Sequence, residues 1–190
     1  MTNKWSQDLY IKAYNYAAKN HLYQFVPGTW LPYIVHLSLV SMEIMAALST
    51  GIKINGDLAV QCALLHDILE DTPRTYDQVK DMFGADVAGG VQALTKDSKV
   101  PKDDQMKDSL NRIKNQPKEI WMVKMADRIT NLQPPPSHWN NEKIKKYRNE
   151  ANQIYNSLKD ADEYLALRLK NKIEVYESFF LGKGYHFGNN

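Results

Sequence analysis

The segment from Asp57 to Thr72 carries the side chains best suited to chemistry. Its first part is apolar almost all the way round, as in a buried helix, but it continues into His66, Asp67, Glu70 and Asp71. No Lys or Arg lies between its two ends. Ionised carboxylates beside a core are costly unless they are paired, hydrogen-bonded or bound to metal. The segment therefore predicts either a site that takes a cation from elsewhere or an acidic helix end that reaches water.

Helical spacing places the four polar groups of this segment on one side. His66 and Glu70 are four residues apart, as are Asp67 and Asp71, so each pair stacks on the same helix face. At about 100° per residue, the four side chains fan over roughly 140° of the helix surface. One metal ion can take His66 and Asp67, while Glu70 and Asp71 point toward the space beside it.

Two further polar residues interrupt apolar stretches elsewhere in the chain. His36 lies within the apolar run Pro32–Val40, where a lone histidine is more often a hydrogen-bonded core residue than a ligand. Asp127 interrupts a second apolar pattern, where pairing with Lys124 or Arg128 is the simpler interpretation. Together with the first segment, however, they supply two imidazoles and two carboxylates on three separate predicted helices.

This donor set limits the choice of metal. Mixed nitrogen and oxygen ligands without thiolate suit Mn, Fe or Zn, whereas sites made only of oxygen favour Mg or Ca. Cys62 is the only cysteine, which excludes an intrachain disulfide and a thiolate zinc cluster and favours a reduced, intracellular setting. Asn131 follows Asp127 by four residues and so shares its helix face.

The elements that must position these residues are predicted to be helices. Strand signals are nearly absent, and helical periodicity with clear stop signals dominates. We therefore expect an all-α fold with one domain over residues 1–190, its core at about 5–158 and its C-terminal helix reaching about 181. The predicted helices are Trp5–Asn20, Pro32–Gly51, Gly56–Asp71, Thr75–Phe83, Ala85–Lys96, Gln105–Asn115, Pro117–Leu132 and two between Asn140 and Leu181, divided near Asp160–Asp162.

Composition narrows the function classes. Lys+Arg 24 against Asp+Glu 22 gives a formal net charge of +2, so no overall field favours nucleic acid. No window approaches the roughly 18 apolar residues of a membrane span, and residues 1–10 lack the apolar stretch of a signal peptide. We expect a cytoplasmic protein with a small-molecule partner, and the oligomeric state stays open.

Three stretches resemble the HD superfamily, and within it the hydrolase domain of the Rel/SpoT alarmone enzymes and the small stand-alone Mesh1 type. The stretches are Pro32–His36, Ala63–Thr72 and Val123–Leu132, and weaker similarity extends from about Tyr14 to Leu158. The resemblance implies a compact helical HD fold. It also implies removal of the 3′-pyrophosphate from guanosine tetra- or pentaphosphate, (p)ppGpp, the nucleotide of the stringent response.

The resemblance assigns roles to individual residues. It implies four metal ligands, usually for manganese, which are His36, His66, Asp67 and Asp127. Glu70 and Asp71 match an acidic pair that orients or activates water and handles protons. Asn131 matches a residue that contacts the nucleotide. Because a polyphosphate needs nearby cations, Lys124 and Arg128 are further candidates for substrate binding.

The stretch ahead of Pro32 departs from the family. Relatives usually carry an Arg-Lys pair that helps to hold the guanine nucleotide, whereas Tyr23–Leu31 contains no basic residue, and Leu37 replaces the family's proline. Trp30 or Phe25 can stack on a base or simply pack, and Gln24 can hydrogen-bond to a base. The substrate is therefore a guanine alarmone, an adenine alarmone or another phosphorylated nucleotide. An HD nucleotidase that releases orthophosphate is the alternative, and a non-catalytic nucleotide-binding module gains little support because no ligand is lost.

Overall fold

The computed structural model describes residues 5–179, and over this range the chain is all α-helical. The only β-type pairing there is an isolated bridge between Phe25 and Pro32. This confirms the predicted fold class. The helices of this range are α1 (Gln7–Asn20), α2 (Ile34–Ser49), α3 (Gly56–Leu65), α4 (Ile68–Asp71), α5 (Tyr76–Phe83), α6 (Ala85–Leu94), α7 (Gln105–Lys114), α8 (Lys118–Asn131), α9 (Asn141–Leu158) and α10 (Glu163–Glu177).

Side-chain caps explain where several helices begin. The Asn55 side chain accepts a hydrogen bond from the Leu58 backbone N–H at 3.1 Å, at the start of α3. Thr75 and Gln78 form a capping box at the start of α5, each side chain accepting from the other's backbone N–H at 3.4 and 3.2 Å. Most helix ends differ by one or two residues from the predicted ends. The predicted end of the last helix near Leu181 lies outside the described residues, and α10 itself ends at Glu177.

The prediction of one continuous helix over Gly56–Asp71 is wrong. His66 keeps helical dihedral angles, but the chain leaves helical geometry at Asp67, so that α3 ends at Leu65 and the short helix α4 begins at Ile68. Asp67 has φ −99° and ψ 0°, in the sparsely populated bridge region where many active-site residues lie. The break places His66 and Asp67 in the turn between α3 and α4.

Helix α3 is the centre of the packing. Every residue of α3 except Asp57 is buried, and the helix is surrounded by α1, α2, α6 and α8. Close approach to α6 depends on Gly90, where an added Cβ would meet Cys62 Sγ at 3.0 Å and the side chain of Ile120. At the neighbouring Gly89, an added Cβ would meet only Gln116 Oε1 at 4.0 Å, so the close contact of α6 with the core is at Gly90. None of the described helices has both the length and the apolarity needed to span a bilayer.

Candidate metal centre

Three parts of the core bring the predicted ligands to one place. His36 lies in the first turn of α2, His66 and Asp67 form the turn between α3 and α4, and Asp127 lies near the end of α8. Because α3 packs against both α2 and α8, the turn at its end lies between the other two residues. His36, His66 and Asp127 are buried, and the side chain of Asp67 is 20% exposed.

Donor atoms of His36, His66 and Asp67 form one compact group, all within 4.8 Å of one another, and Asp127 lies next to the two histidines. The two histidine Nε2 atoms are 3.3 Å apart, and Asp67 Oδ2 lies 3.0 Å from His66 Nε2 and 3.8 Å from His36 Nε2. Asp127 Oδ1 lies 3.5 and 3.7 Å from the Nε2 atoms of His36 and His66. Ligand bonds of about 2.0–2.2 Å put neighbouring donors around one metal ion roughly 3–3.5 Å apart. The spacing of His36, His66 and Asp67 therefore fits a single divalent cation, with Asp127 Oδ1 beside both histidines as a fourth candidate ligand.

The outer nitrogens of both histidines fix their tautomers. His66 Nδ1 is 2.8 Å from the carbonyl oxygen of Ala63, which can only accept, so Nδ1 carries the proton. Thr130 donates its hydroxyl proton to the carbonyl of Asp127 at 2.9 Å, which leaves Oγ1 to accept from His36 Nδ1 at 3.5 Å. In both neutral rings Nε2 then presents a lone pair to the cluster. Such outer hydrogen bonds are typical of metal-bound histidine.

Hydrogen-bond donors also hold both carboxylates from outside. The Tyr33 hydroxyl donates to Asp67 Oδ2 at 2.5 Å. Asn131 Nδ2 donates to Asp127 Oδ1 at 2.5 Å, and Lys124 Nζ donates to Asp127 Oδ2 at 3.0 Å. Two carboxylate oxygens and two imidazole lone pairs still face one another in a buried space. Four acceptors in this arrangement require a cation or a proton between them, so the donor set fits a metal ion.

The pKa shifts follow from this crowding of acceptors. Burial lowers the pKa of His66, but the charges and hydrogen bonds of Asp67 and Asp127 outweigh burial and leave that pKa well above its ordinary value. Burial raises the pKa of Asp127, but Lys124 and the two histidines outweigh it and hold that pKa well below its ordinary value. A proton therefore binds strongly at the place where a metal ion would lie, and the two compete.

Glu70 and Asp71 lie beside the cluster in different settings. Glu70 accepts from Lys96 twice, through Nζ at 2.7 Å and the backbone N–H at 3.0 Å. The carboxylate of Asp71 has no hydrogen-bond partner within the described residues. Burial and the negative charges of Asp67 and Glu70 raise the pKa of Asp71. Glu70 is thus fixed by a lysine, whereas the carboxylate of Asp71 is free to exchange a proton.

The stretch Tyr23–Leu31, which lacks the basic pair of the relatives, forms a short hairpin ahead of α2. The backbone N–H of Val26 donates to Leu31 at 2.9 Å, and Trp30 packs edge-on against Phe25 with ring centroids 6.2 Å apart. Trp30 is 88% exposed, which excludes a core-packing role for this side chain. Both ends of the Gln24 amide are already used, by His21 Nδ1 and the Asp71 carbonyl, each at 2.7 Å.

Arg128 turns away from the cluster. Its guanidinium lies 4.3 Å from the ring centroid of Tyr147, and Nη2 is 3.6 Å from Glu150 on α9. The residue is buried, and neither Nε nor Nη1 has a hydrogen-bond partner within residues 5–179. Of the two simple partners that the sequence offered for Asp127, only Lys124 makes the contact.

Three further residues lie at or beside this site without a clear signal in the sequence. Tyr33 lies within the Pro32–His36 motif, and its position three residues before His36 is its only signal in the sequence. Lys96 lies 26 residues from Glu70, in a polar stretch with no local signal. His21 ends α1 and stacks on Tyr33 with ring centroids 5.0 Å apart, again without a signal in the sequence.

A buried His/Asp cluster that requires a cation, carried at the centre of an all-α fold, defines a metal-binding protein of the HD class. The HD domain family profile matches residues 13–163, and the chain belongs to that family.

Individual relatives agree with this assignment. The chain is 29% identical over 167 residues to the guanosine-3′,5′-bis(diphosphate) 3′-pyrophosphohydrolase MESH1 of Danio rerio, covering 84% of this chain and 89% of the relative. It is 31% identical over 176 residues to the Aquifex aeolicus guanosine-3′,5′-bis(diphosphate) 3′-pyrophosphohydrolase, covering 90% of this chain and 23% of that longer protein. A solved structure of a metazoan SpoT ortholog, described as hydrolysing ppGpp, has a similar fold with TM-score 0.78. That match has 24% identity and covers 90% of this chain and 97% of the other.

Proposed function

We propose that this protein is a manganese-dependent pyrophosphohydrolase that removes the 3′-pyrophosphate of an alarmone-like nucleotide, of the (p)ppGpp or (p)ppApp type. The convergence of four acceptors with an acidic pair beside them carries the proposal. The activity named for the relatives supports it. The proposed ligands are His36, His66, Asp67 and Asp127. Manganese is preferred, with iron or zinc as the other metals that suit this donor set.

Asp71 and Glu70 have different proposed roles at the attacking water. A bound divalent ion lowers the pKa of water and offsets charge on the phosphoryl group. Asp71 accepts the proton of that water, because its carboxylate is free and its raised pKa lies closer to neutral pH. Glu70 is held by Lys96 and orients the water, while Lys96 contributes a positive charge beside the polyphosphate.

The proposed substrate contacts come from α8 and the hairpin. Lys124 has three N–H donors and Asn131 has two, and each uses one on Asp127. The remaining donors of both residues face phosphate oxygens of the nucleotide. Arg128 adds positive charge from behind α8, and Trp30 stacks on the base in place of the missing basic pair. This arrangement favours no single purine.

The proposed setting is the cytoplasm, on the strength of the single free cysteine. Residues 1–190 are proposed to act as one unit, because α9 and α10 pack on α8, which carries Asp127. The proposed partner is the small nucleotide itself.

The test is a product assay. Guanosine and adenosine 3′,5′-bis(diphosphates) are incubated with the protein, with and without Mn²⁺, and both pyrophosphate and orthophosphate are measured. We expect Mn²⁺-dependent release of pyrophosphate that Asp67→Ala abolishes. Asp81→Ala, which removes an exposed carboxylate on α5, is the matched control and keeps full activity. Absence of metal-dependent turnover with either nucleotide would overturn the proposal.

A nucleotidase that releases orthophosphate is the second candidate. The observation that favours it is the hairpin over residues 23–31, which lacks the basic pair of the alarmone hydrolases. The same assay separates the two candidates, since orthophosphate as the first product supports the nucleotidase and pyrophosphate excludes it.

A further inference from the structure

A buried histidine outside the candidate ligand set lies beside the metal centre. His21 ends α1, is 3% exposed, and anchors itself by donating its backbone N–H to the carbonyl of Ala17 at 2.9 Å. Its ring stacks on Tyr33, with centroids 5.0 Å apart and planes 28° apart. Tyr33 in turn donates to Asp67. A chain of contacts therefore runs from α1 to a candidate metal ligand.

A second chain of contacts runs from the same ring to the acidic pair. Gln24 Nε2 lies 2.7 Å from the backbone carbonyl of Asp71, which can only accept, so this end of the amide is the donor. Gln24 Oε1 must then accept, and it lies 2.7 Å from His21 Nδ1. The carbonyl of Asp71 thus fixes the amide of Gln24, and the amide fixes the His21 tautomer with its proton on Nδ1.

The surroundings of the other ring nitrogen, Nε2, also support a role for His21 at the metal centre. Within residues 5–179, His21 Nε2 is buried and has no hydrogen-bond partner. Burial lowers the pKa of His21, although Gln24 and the carboxylates of Asp67 and Asp71 oppose the shift. Burial thus favours the neutral ring, and with the proton on Nδ1 its Nε2 lone pair lies in the field of the site's carboxylates.

The hydrogen bond to Asp71 matters because α4 is short. Four residues make only one helical turn, and the last carbonyls of such a turn lack partners within the helix. No side chain caps the start of α4 at Asp67, and the chain becomes extended at Thr72. The Gln24 amide satisfies the carbonyl of the last residue and ties the turn to α1 through His21.

We propose that His21 is a positioning residue of the metal centre. Its Nδ1–H aligns Gln24, which holds the end of α4 and with it the acidic pair, while its ring supports the tyrosine that orients Asp67. The role in positioning the acidic pair rests on the proposed hydrolase function. The role in positioning Asp67 is tested without substrate, through binding of Mn²⁺ alone.

Two substitutions of His21 distinguish the role of its Nδ1 hydrogen bond from the role of its ring. H21N and H21Q both remove the imidazole, but only asparagine keeps an amide nitrogen at the chain position of Nδ1. Q24A breaks the same chain from its exposed side, where a folding defect is not expected. The full-length variants are compared for Mn²⁺ dissociation constant, kcat and KM, with thermal melting as the folding control.

We expect H21Q to weaken Mn²⁺ binding about tenfold, as loss of a group that supports a ligand does, and to lower kcat more than KM. Q24A keeps the ring, so it lowers kcat and leaves Mn²⁺ binding near the wild-type level. H21N keeps the amide donor but not the ring, so it recovers most of the loss in kcat and binds Mn²⁺ as weakly as H21Q. The double variant H21Q/Q24A loses no more kcat than H21Q alone, because both changes break one chain of contacts. Mn²⁺ binding at the wild-type level in H21Q, or a kcat of H21N no better than that of H21Q at saturating Mn²⁺, would overturn the proposal. A wild-type protein that binds Mn²⁺ but hydrolyses no nucleotide would defeat only the proposed function.

Discussion

Hydrogen bonds from outside orient the four candidate ligands. The outer nitrogens of His36 and His66 donate away from the cluster, and the carboxylates of Asp67 and Asp127 accept from Tyr33, Asn131 and Lys124. Both Nε2 atoms, Asp67 Oδ2 and Asp127 Oδ1 lie close to one another, and a positive charge among them relieves the repulsion between their lone pairs. The cluster is thus shaped for a cation by its surroundings as much as by the ligands themselves.

The charge of Lys96 is expected to influence the pH dependence of the rate through the pKa of Asp71. Lys96 lowers the pKa of Asp71, against the upward effects of burial, Asp67 and Glu70. Removing the positive charge in Lys96→Met disfavours the ionised carboxylate, so its pKa rises further. Since Asp71 must be ionised to accept a proton, the acid limb of kcat/KM against pH moves to higher pH.

The control for this charge effect is Lys99→Met, which makes the same charge change on the exposed loop that follows. It leaves the acid limb in place. Asp71→Asn removes the proton acceptor and lowers kcat by about 10²- to 10⁴-fold at all pH values. An acid limb that moves equally in both lysine variants, or a small effect of Asp71→Asn, contradicts the assigned role.

Trp30 gives a separate expectation for substrate binding. Stacking of a base on an aromatic ring contributes about 1–3 kcal/mol, so Trp30→Ala raises KM for the nucleotide about 5- to 150-fold with little change in kcat. Trp30→Phe keeps most of the affinity. Because the side chain is 88% exposed, neither change lowers the melting temperature. An unchanged KM in Trp30→Ala assigns base recognition to another residue.

At the scale of elements, two adjacent glycines of α6 are predicted to respond in opposite ways to the same change. A Cβ at Gly89 meets only Gln116 Oε1 at 4.0 Å, so Gly89→Ala gains helix propensity and stabilises the fold by about 0.5–1 kcal/mol. A Cβ at Gly90 meets Ile120 and Cys62, both fully buried, so overpacking of about 1–3 kcal/mol outweighs that gain.

Urea unfolding of the two variants measures this difference. We expect a higher midpoint than the wild type for Gly89→Ala and a lower one for Gly90→Ala, with unchanged slope. Because neither glycine touches the cluster, both variants keep Mn²⁺ binding. Equal shifts of the two midpoints would show that α6 adjusts its distance from α3 and α8.

Local sequence signals explain the helix boundaries but not the break that makes the site. Capping residues such as Asn55 and Thr75 act within one turn, and so the starts of α3 and α5 can be read from the sequence. Nothing local stops a helix at His66–Asp67, since the following Leu69 and Glu70 are good helix formers. The break depends on packing between α2, α3 and α8, which no single segment encodes.

The same limit applies to the partners of the site residues. Resemblance to a family identified the four candidate ligands, whereas the residues that hold them come from distant parts of the chain. Lys96 reaches Glu70 across 26 positions and Gln24 reaches Asp71 across 47. Within the apolar context of α8, the sequence offered Lys124 and Arg128 equally as partners of Asp127, and only the fold chooses between them.

For the whole molecule, the cluster joins helices that are far apart in the chain. His36 and Asp127 are 91 positions apart and both lie next to the turn that ends α3. The unfolded chain cannot bring these donors together, so a divalent cation held by them would bind the native state preferentially. Metal binding is therefore coupled to the stability of the entire fold rather than to one helix.

This coupling gives a prediction for thermal and chemical unfolding. Mn²⁺ at 100 times its dissociation constant raises the free energy of unfolding by about 2.7 kcal/mol, and a chelator removes the gain. His66→Ala abolishes the Mn²⁺ effect, whereas His138→Ala, at an exposed histidine after α8, leaves it intact. The gain shrinks as pH falls, because protons compete for His66, whose pKa is raised. Equal stabilisation by Mn²⁺ in the wild type and His66→Ala would locate the metal elsewhere in the molecule.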